Sequence, residues 1–344
     1  MNLFDYFTQD IGIDLGTANS LVYVKGRGIV INEPTIAAVN NKTNQVLAIG
    51  EEAKKMLGRV PAHISIVRPL INGVISDFEM TQELLRHYLK KIGGNWFFNY
   101  HRVVIGIPPN LTEVERKSVE DAVILAGANK VYLIEEPIAA ALGARLPIGE
   151  PVSNMLVDIG GGTTDIAIIS MNGTVTSRSL KTAGDKLNDD IIKFVRDEFK
   201  LLIGEPTAEE LKIAIGAAVP LDEKLEMIIR GRDVSSGLPK EATVKSYQIR
   251  TAISRSLRSI VEAVKETIEI APPELAGDIL EQGIHLCGGG SLLKGIDQLI
   301  EKELGVKTKI IDDPLTCVVR GAGIAAENIP THLQFFNTPV SPLA

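Results

Sequence analysis

Three stretches of this chain set aspartate and glycine together in a way that suits a bound phosphate. Asn154 to Asp165 reads NMLVDIGGGTTD: an apolar run ending in Asp158, a turn on Gly160, Gly161 and Gly162, and an exit through Thr163 and Thr164. Glycines remove side chains from a turn, so backbone N–H groups can face anionic oxygens. A carboxylate at the end of the preceding strand can hold Mg2+, directly or through water, and Asp158 offers that chemistry. The same residues also satisfy a plain glycine-rich β-hairpin, and one such turn does not separate the two readings. Ile11 to Ser20, IGIDLGTANS, repeats the logic with alternating apolar positions, Asp14, Gly16 and a returning strand from Leu21. Two hairpins of one design imply a duplicated architecture with the ligand between its halves. A third glycine site, IHLCGGGSLLKG, runs a strand into Gly288, Gly289 and Gly290. A helix expected near Ile296 would present its N-terminus to the same nucleotide.

Glu136 is the remaining candidate for chemistry. A strand over Lys130 to Ile134 leads into Glu135, Glu136 and Pro137. Acids and a proline in the first turn are what a helix start wants in any protein. A glutamate at a strand-to-helix junction can also orient an attacking water toward a γ-phosphate. The sequence alone leaves both roles open.

The elements that would position these groups alternate between strand and helix patterns. Strand-like runs cover Gly28–Ile31, Thr35–Val39 and Val46–Ile49, with a short helix over Glu51 to Leu57 and irregular chain over 58–76, where Pro61 and Pro69 fall. Thr81 to Ile92 is amphipathic, with Leu84, Leu85, Tyr88, Leu89 and Ile92 on one face. Leu111 to Ala126 carries a capping box at Thr112 and Glu115. Helices follow over residues 184–199, Thr207–Ile215 and Ile249–Ile270, the last ended by Pro272-Pro273, and a final helix spans Thr316–Glu327. Weak strands are expected around 225–230 and 242–245. The tail from Pro330, with Pro339 and Pro342, is expected to be weakly tethered.

Composition narrows the function. At 344 residues the chain suits two domains. A net charge of −7 argues against a nucleic-acid partner, which needs a basic footprint. Cys287 and Cys317 are the two cysteines and form no disulfide framework, and five scattered histidines show no zinc spacing. No apolar run reaches the roughly 18 residues that span a bilayer. Two aromatic segments stand out. Trp96, Phe97 and Phe98 follow a glycine stop, with Lys90, Lys91, His101 and Arg102 nearby, and read as a loop that inserts into a membrane interface. The bland alternative is a loop folded over a crevice. Leu3, Phe4 and Phe7 share one face of a helical turn and could touch a membrane, although the first basic residue is Lys25; a terminal segment packed on the domain is the alternative.

The three glycine sites, together with NEPTIAAV, LIEEPIAAALGA, AGDKLND, TAEELKIAIG, GLPK and PPELAGDI, resemble the actin, sugar-kinase and heat-shock-chaperone ATPase superfamily over roughly residues 10–328. Within it the chain is similar to the MreB family of bacterial actin homologues. The resemblance implies an α/β, actin-like ATPase fold: two similar domains, each a mixed sheet with helices and a smaller subdomain, around a cleft holding ATP and Mg2+. Residues 10–33, 75–147 and 319–329 would form subdomain IA, and 34–74 subdomain IB. Residues 148–182 and 248–318 would form IIA, and 183–247 IIB, with 1–9 and 330–344 outside. Asp14, Gly16, Thr17, Ala18 and Asn19 would make the first phosphate loop, and Asp158, Gly160, Gly161, Gly162 and Thr163 the second. Asp14 and Asp158 would serve the metal through water. Glu136 would orient the attacking water, helped by Thr163. Gly184 and Asp185 would line the site, Glu209 and Lys212 would flank adenine and ribose, and Gly288, Gly289 and Gly290 would lie beneath the nucleotide. The family's partners would be further copies of the chain in paired protofilaments, the inner face of the cytoplasmic membrane and the cell-wall elongation machinery. The chain departs from the family at Asp165, where Glu is common, and at Cys287, where Thr is usual. A non-polymerising small-molecule kinase or nucleotide-regulated adaptor is the competing class. Residues 34–74 and 183–247 offer no evident acceptor-binding cluster for it.

Overall fold

In the computed structural model, which describes residues 8–92 and 100–336, the chain builds one five-stranded sheet twice. The first comes from β1 (Thr8–Leu15), β2 (Asn19–Val24) and β3 (Gly28–Pro34). A small insertion follows: β4 (Ala37–Asn40), β5 (Gln45–Ile49), α1 (Glu51–Met56), β6 (Ile64–Val67), β7 (Leu70–Ile71) and β8 (Val74–Ile75). The chain returns through α2 (Phe78–Ile92), β9 (Tyr100–Ile107), α3 (Glu113–Ala126), β10 (Lys130–Glu135) and α4 (Glu136–Gly143). The second lobe opens with β11 (Asn154–Ile159), β12 (Thr164–Ser170) and β13 (Gly173–Leu180). Its insertion holds α5 (Gly184–Phe199), β14 (Leu201–Leu202), α6 (Glu205–Ile215), β15 (Glu226–Asp233) and β16 (Pro239–Lys245). It closes with α7 (Ser246–Glu269), α8 (Pro273–Gln282), β17 (Ile284–Cys287), α9 (Ile296–Leu304) and β18 (Thr308–Ile310), after which α10 (Cys317–Glu327) returns to pack on β1 and β9 of the first sheet.

The strand orders are β10-β9-β1-β2-β3 and β13-β12-β11-β17-β18. In each sheet an antiparallel meander supplies three strands; a later strand joins its first strand in parallel, and one more joins that strand in parallel. Parallel pairing needs crossovers, and α2, α3, α7, α8 and α9 supply them. Each lobe has its own core. Leu84, Leu85 and Tyr88 of α2 are fully buried against Ile11, Ile13 and Ile105. Each such side chain removed from water contributes ~1.5–3 kcal/mol. In the second lobe Ile253, Leu257, Ile260 and Val264 of α7 pack on Met155, Val157 and Ile166. A third core lies between the sheets, where α4 and α10 cross. They touch nearly backbone to backbone: a Cβ on Gly143 would lie 2.0 Å from Cys317 O, and one on Gly321 would lie 1.7 Å from Ala139 O.

Several expectations need correction. Residues 58–76 are not irregular. Pro61 and Pro69 interrupt the segment, but β6 joins β4, and β7 and β8 form a hairpin on Asn72-Gly73. Both turn residues have positive φ, 51° and 75°, the conformation a two-residue Asn-Gly hairpin turn requires. Pro272 ends α7 but also caps a further helix, α8, that Pro273 opens. The helix expected near Ile296 starts there as α9, but behind Gly288 a short 3-10 turn, Gly289–Leu292, separates it from the glycines. The tail is anchored past Pro330: Ile329–Phe335 is 3-10 helix, Phe335 is buried, and the Phe336 ring lies tilted against Tyr132 with centroids 5.0 Å apart. An apolar pair on an open core surface outweighs the prolines there. Leu3, Phe4, Phe7, Trp96, Phe97 and Phe98 lie outside the described residues, as do 337–344.

Candidate nucleotide site between the lobes

The two Asp–Gly hairpins face each other across a cleft with a cavity of about 600 Å3. That falls in the roughly 300–1,000 Å3 range of small-molecule sites. Asp14 is the penultimate residue of β1 and Asp158 the penultimate residue of β11, so the duplicated sheets deliver both carboxylates to corresponding strand ends. All the residues proposed from sequence for phosphate, metal and ribose line this one cavity: Asp14, Gly16 to Asn19, Asp158, Gly160 to Thr163, Gly184, Asp185, Glu209, Lys212 and Gly288 to Gly290. Glu136 lines it too.

Close approach explains the glycines. A Cβ on Gly161 would sit 2.5 Å from Ala18 Cβ, and one on Gly162 would sit 2.6 Å from Thr17 Oγ1. The second hairpin therefore abuts the first with no room for side chains. Within it, Gly160 N donates to Thr163 O at 2.9 Å. Gly184 N donates to Gly160 O at 3.1 Å and Asp185 N to Gly161 O at 2.8 Å, which fastens the start of α5 to the turn. On the other side Gly73 N donates to Thr17 Oγ1 at 2.9 Å, so the Asn72-Gly73 hairpin braces the first turn. Gly288 has φ +76° and no space for a side chain, since a Cβ would lie 2.2 Å from Asp158 Oδ1. Gly106, in the strand beneath Glu136, leaves room for that side chain: a Cβ there would lie 3.3 Å from Glu136 Cγ.

The electrostatics are one-sided. Burial pushes Asp14 up to about 7. Asp158 is pushed up to about 8, first by burial and then by Asp165 and Asp14. Burial, followed by Asp165, Asp14 and Asp158, raises Glu136 well above the ordinary carboxylate range. Asp165 is raised by burial, against hydrogen bonds with Ser179 and Thr163. Its Oδ1 is buried without a partner. Glu136 is partly open to the cleft, yet protein surrounds it closely enough that its charge is poorly solvated. Four acids in low dielectric repel one another and call for positive charge.

Those acids fit Mg2+ held at a distance. Among the described residues, no group of three His, Cys, Asp or Glu converges closely enough to cage a cation. Mg2+ keeps several waters and shares its shell with phosphate oxygens, so one or two carboxylates suffice. The unpartnered Asp165 Oδ1 is a further acceptor near that position.

Sequence reasoning missed several cavity residues. Asp165 pairs directly with Asp158 across the β11–β12 hairpin, so both point to one face; reading the hairpin register would have found it. Asn72-Gly73 between apolar residues is a hairpin signal that was legible. Arg68 and Glu205 form an ion pair across the cleft mouth, between the two insertions, and no local pattern announces it.

A sheet built twice, with crossed helices between the copies and a shared cleft, defines an actin-like two-lobed protein. The chain belongs to the MreB/Mbl family, whose model, described as MreB/Mbl protein, matches residues 8–334. It is 48% identical over 323 residues to cell shape-determining protein Mbl of Bacillus subtilis, covering 94% of this chain and 97% of the relative. It is 46% identical over 331 residues to cell shape-determining protein MreB of Escherichia coli, covering 95% of each. Among solved structures, MreB5 of Spiroplasma citri bound to ADP is 42% identical with a TM-score of 0.90, covering 94% of this chain and 98% of that one. The same relative, solved with AMPPNP, matches equally well. A MamK double helical filament, at 23% identity and TM-score 0.80, shares the fold. No helix among the described residues is long and apolar enough to cross a membrane.

Proposed function

We propose that this chain is an ATP-binding, ATP-hydrolysing, actin-like cytoskeletal protein. It polymerises into paired protofilaments on the inner face of the cytoplasmic membrane and helps determine rod cell shape by organising the cell-wall elongation machinery. The observation that carries this reading is the convergence of two Asp–Gly hairpins, from the two copies of one sheet, on a single acidic cleft. The names of the Bacillus and Escherichia relatives support the cell-shape role, and the ADP- and AMPPNP-bound Spiroplasma relative supports the nucleotide.

The residues divide the work. Backbone N–H groups at Gly16 to Ala18 and Gly160 to Gly162 cradle the phosphates. Asp14 and Asp158 would hold Mg2+ through water, and the ion would supply neutralising charge to the phosphate oxygens. With positive charge in the cleft Glu136 ionises, accepts a hydrogen bond from water and, with the Thr163 hydroxyl, holds that water for attack on the γ-phosphorus. Glu209 and Lys212 receive the ribose and adenine, and Gly288 to Gly290 support the nucleotide from below. ATP spans both lobes and favours the assembling conformation; hydrolysis removes that bridge, so a slow ATPase acts as a polymer switch. Trp96, Phe97 and Phe98, with Leu3, Phe4 and Phe7, supply a weak membrane anchor that a filament multiplies.

Sedimentation with ATP, Mg2+ and anionic phospholipid vesicles tests the reading. Polymer is expected in the pellet with the vesicles. Replacing Trp96, Phe97 and Phe98 by Ser is expected to leave ATP binding intact while vesicle pelleting is lost. Absence of sedimentable polymer under every nucleotide condition would remove the filament role.

A further inference from the structure

The two residues assigned to the ribose are held in place by a third that does not line the cavity. Asn188 lies one turn into α5 and is 2% exposed. Its Nδ2 donates to Glu209 Oε2 at 2.7 Å. The same oxygen accepts from Lys212 Nζ at 2.7 Å, and Lys212 also donates to Gly184 O at 3.1 Å. Glu209 therefore has one oxygen engaged twice, while its Oε1 remains the acceptor available to the cleft. Gly184 and Asp185 in turn bind the Gly160 and Gly161 carbonyls. The network thus runs from the phosphate turn to a carboxylate at a fixed distance from it.

Asn188 is a costly choice for a merely structural role. Its Oδ1 is buried with no partner, a desolvation penalty that an apolar residue would avoid. A flipped amide would set Oδ1 against the Glu209 carboxylate, so the bond to Glu209 fixes which end faces it. What Asn188 retains is the one contact that orients Glu209. A carboxylate beyond the phosphate turns repels phosphate and accepts from hydroxyls, and the hydroxyls next along a nucleotide are those of the ribose.

We propose that Asn188 is a positioning residue that clamps Glu209 so its free oxygen accepts a ribose hydroxyl, setting a preference for ribo- over deoxyribonucleotides. This rests on the reading of the cleft as a nucleotide site. A site built to pair a substrate hydroxyl rejects the analogue that lacks it, because its own group is left unpaired.

The test is equilibrium binding of ATP, 2′-deoxy-ATP and 3′-deoxy-ATP, with Mg2+, to the full chain and its variants. The unmodified protein is expected to prefer ATP over one deoxy analogue by about tenfold, the scale of one charge-assisted hydrogen bond. Asn188→Ala is expected to erase most of that preference by weakening ATP while leaving the analogue nearly unchanged. Asn188→Asp, which faces Glu209 with a second carboxylate, is expected to lose more. Glu209→Gln should show the same loss of preference, and adding Asn188→Ala to it should change little. If Asn188→Ala or Asn188→Asp does not fold, the milder Asn188→Ser, which also removes the amide donor to Glu209, carries the same comparison. Retained discrimination in a folded Asn188 variant, or equal weakening of all three nucleotides, overturns the proposal. Failure of the unmodified chain to bind any nucleotide would instead overturn the reading of the cleft. Equal binding of all three by that chain would leave the nucleotide site standing and overturn the ribose role.

Discussion

The two lobes share a strand order but not a charge pattern. In the first, Asp14 pairs across its hairpin with Leu21; in the second, Asp158 pairs with Asp165. The first turn carries Thr17 and Ala18 after one glycine, while the second runs through three glycines before Thr163. The α-helix after the last strand of the first sheet is headed by Glu136, and the one after the last strand of the second sheet by Cys317. A duplicated frame therefore supplies two glycine turns facing one cleft, and divergence on that frame supplies the asymmetry that the proposed hydrolysis would need. The extra acid, Asp165, follows the second hairpin turn, and Glu136, proposed to orient water, follows the last strand of the first sheet. Neither half alone has both.

That asymmetry can be broken one residue at a time. The largest effect is expected from Glu136→Gln, which keeps the volume and removes the proton acceptor. Phosphate release should slow by about 10²- to 10⁴-fold, the range for a positioned general base, with ATP affinity nearly unchanged. A phosphate-release assay showing normal turnover would return Glu136 to the role of a helix start.

The second prediction concerns pH. Asp14 and Asp158 hold protons up to about 7 and 8, against an ordinary value of 3.8. The folded state therefore binds more protons than the unfolded chain, and stability falls as pH rises between about 4 and 8. The nucleotide-free protein should melt lower at pH 8 than at pH 6, and Mg2+ with nucleotide should narrow the gap. Asp165→Asn makes the second hairpin more like the first. It should raise the nucleotide-free melting temperature at pH 8, by about 2–4 °C per kcal/mol of repulsion relieved, and flatten the pH dependence. A melting series in which the variant and the unmodified protein run parallel would contradict this.

A smaller effect is expected where the two insertions meet. The Arg68–Glu205 ion pair is partly exposed, and such pairs contribute about 0.2–1 kcal/mol. Arg68→Ala should speed release of a fluorescent ADP analogue by roughly 1.5- to 5-fold, and the exchange Arg68→Glu with Glu205→Arg should restore the rate. Stopped-flow release unaffected by either single change would show that the pair does not hold the cleft.

Much of this architecture could be read from the chain because the signals were local. Strand, Asp and glycine turn are consecutive at Asp14–Gly16 and at Asp158–Gly162, and the α2 face follows from spacing alone. The Thr112–Glu115 capping box appears as expected. What escaped depends on residues brought together by packing. Asp165 matters because a hairpin places it opposite Asp158, Arg68 because a separate insertion reaches Glu205, and Asn188 because α5 packs on α6. The Asn72-Gly73 turn was legible in its own dipeptide, and only its placement among Pro61 and Pro69 suggested irregular chain. The tail was misjudged from its prolines because the surface that takes Phe335 and Phe336 exists only once the sheet has formed.

The central claim is that the two lobes make one clamp around one Mg2+-nucleotide. Titration calorimetry of ATP with Mg2+ against Asp14→Asn, Asp158→Asn and the double variant tests it most directly. One shared ion predicts a loss of at least about tenfold for each single change and a double-variant loss well short of their product. Fully additive losses, or ATP binding indifferent to either change, would contradict it.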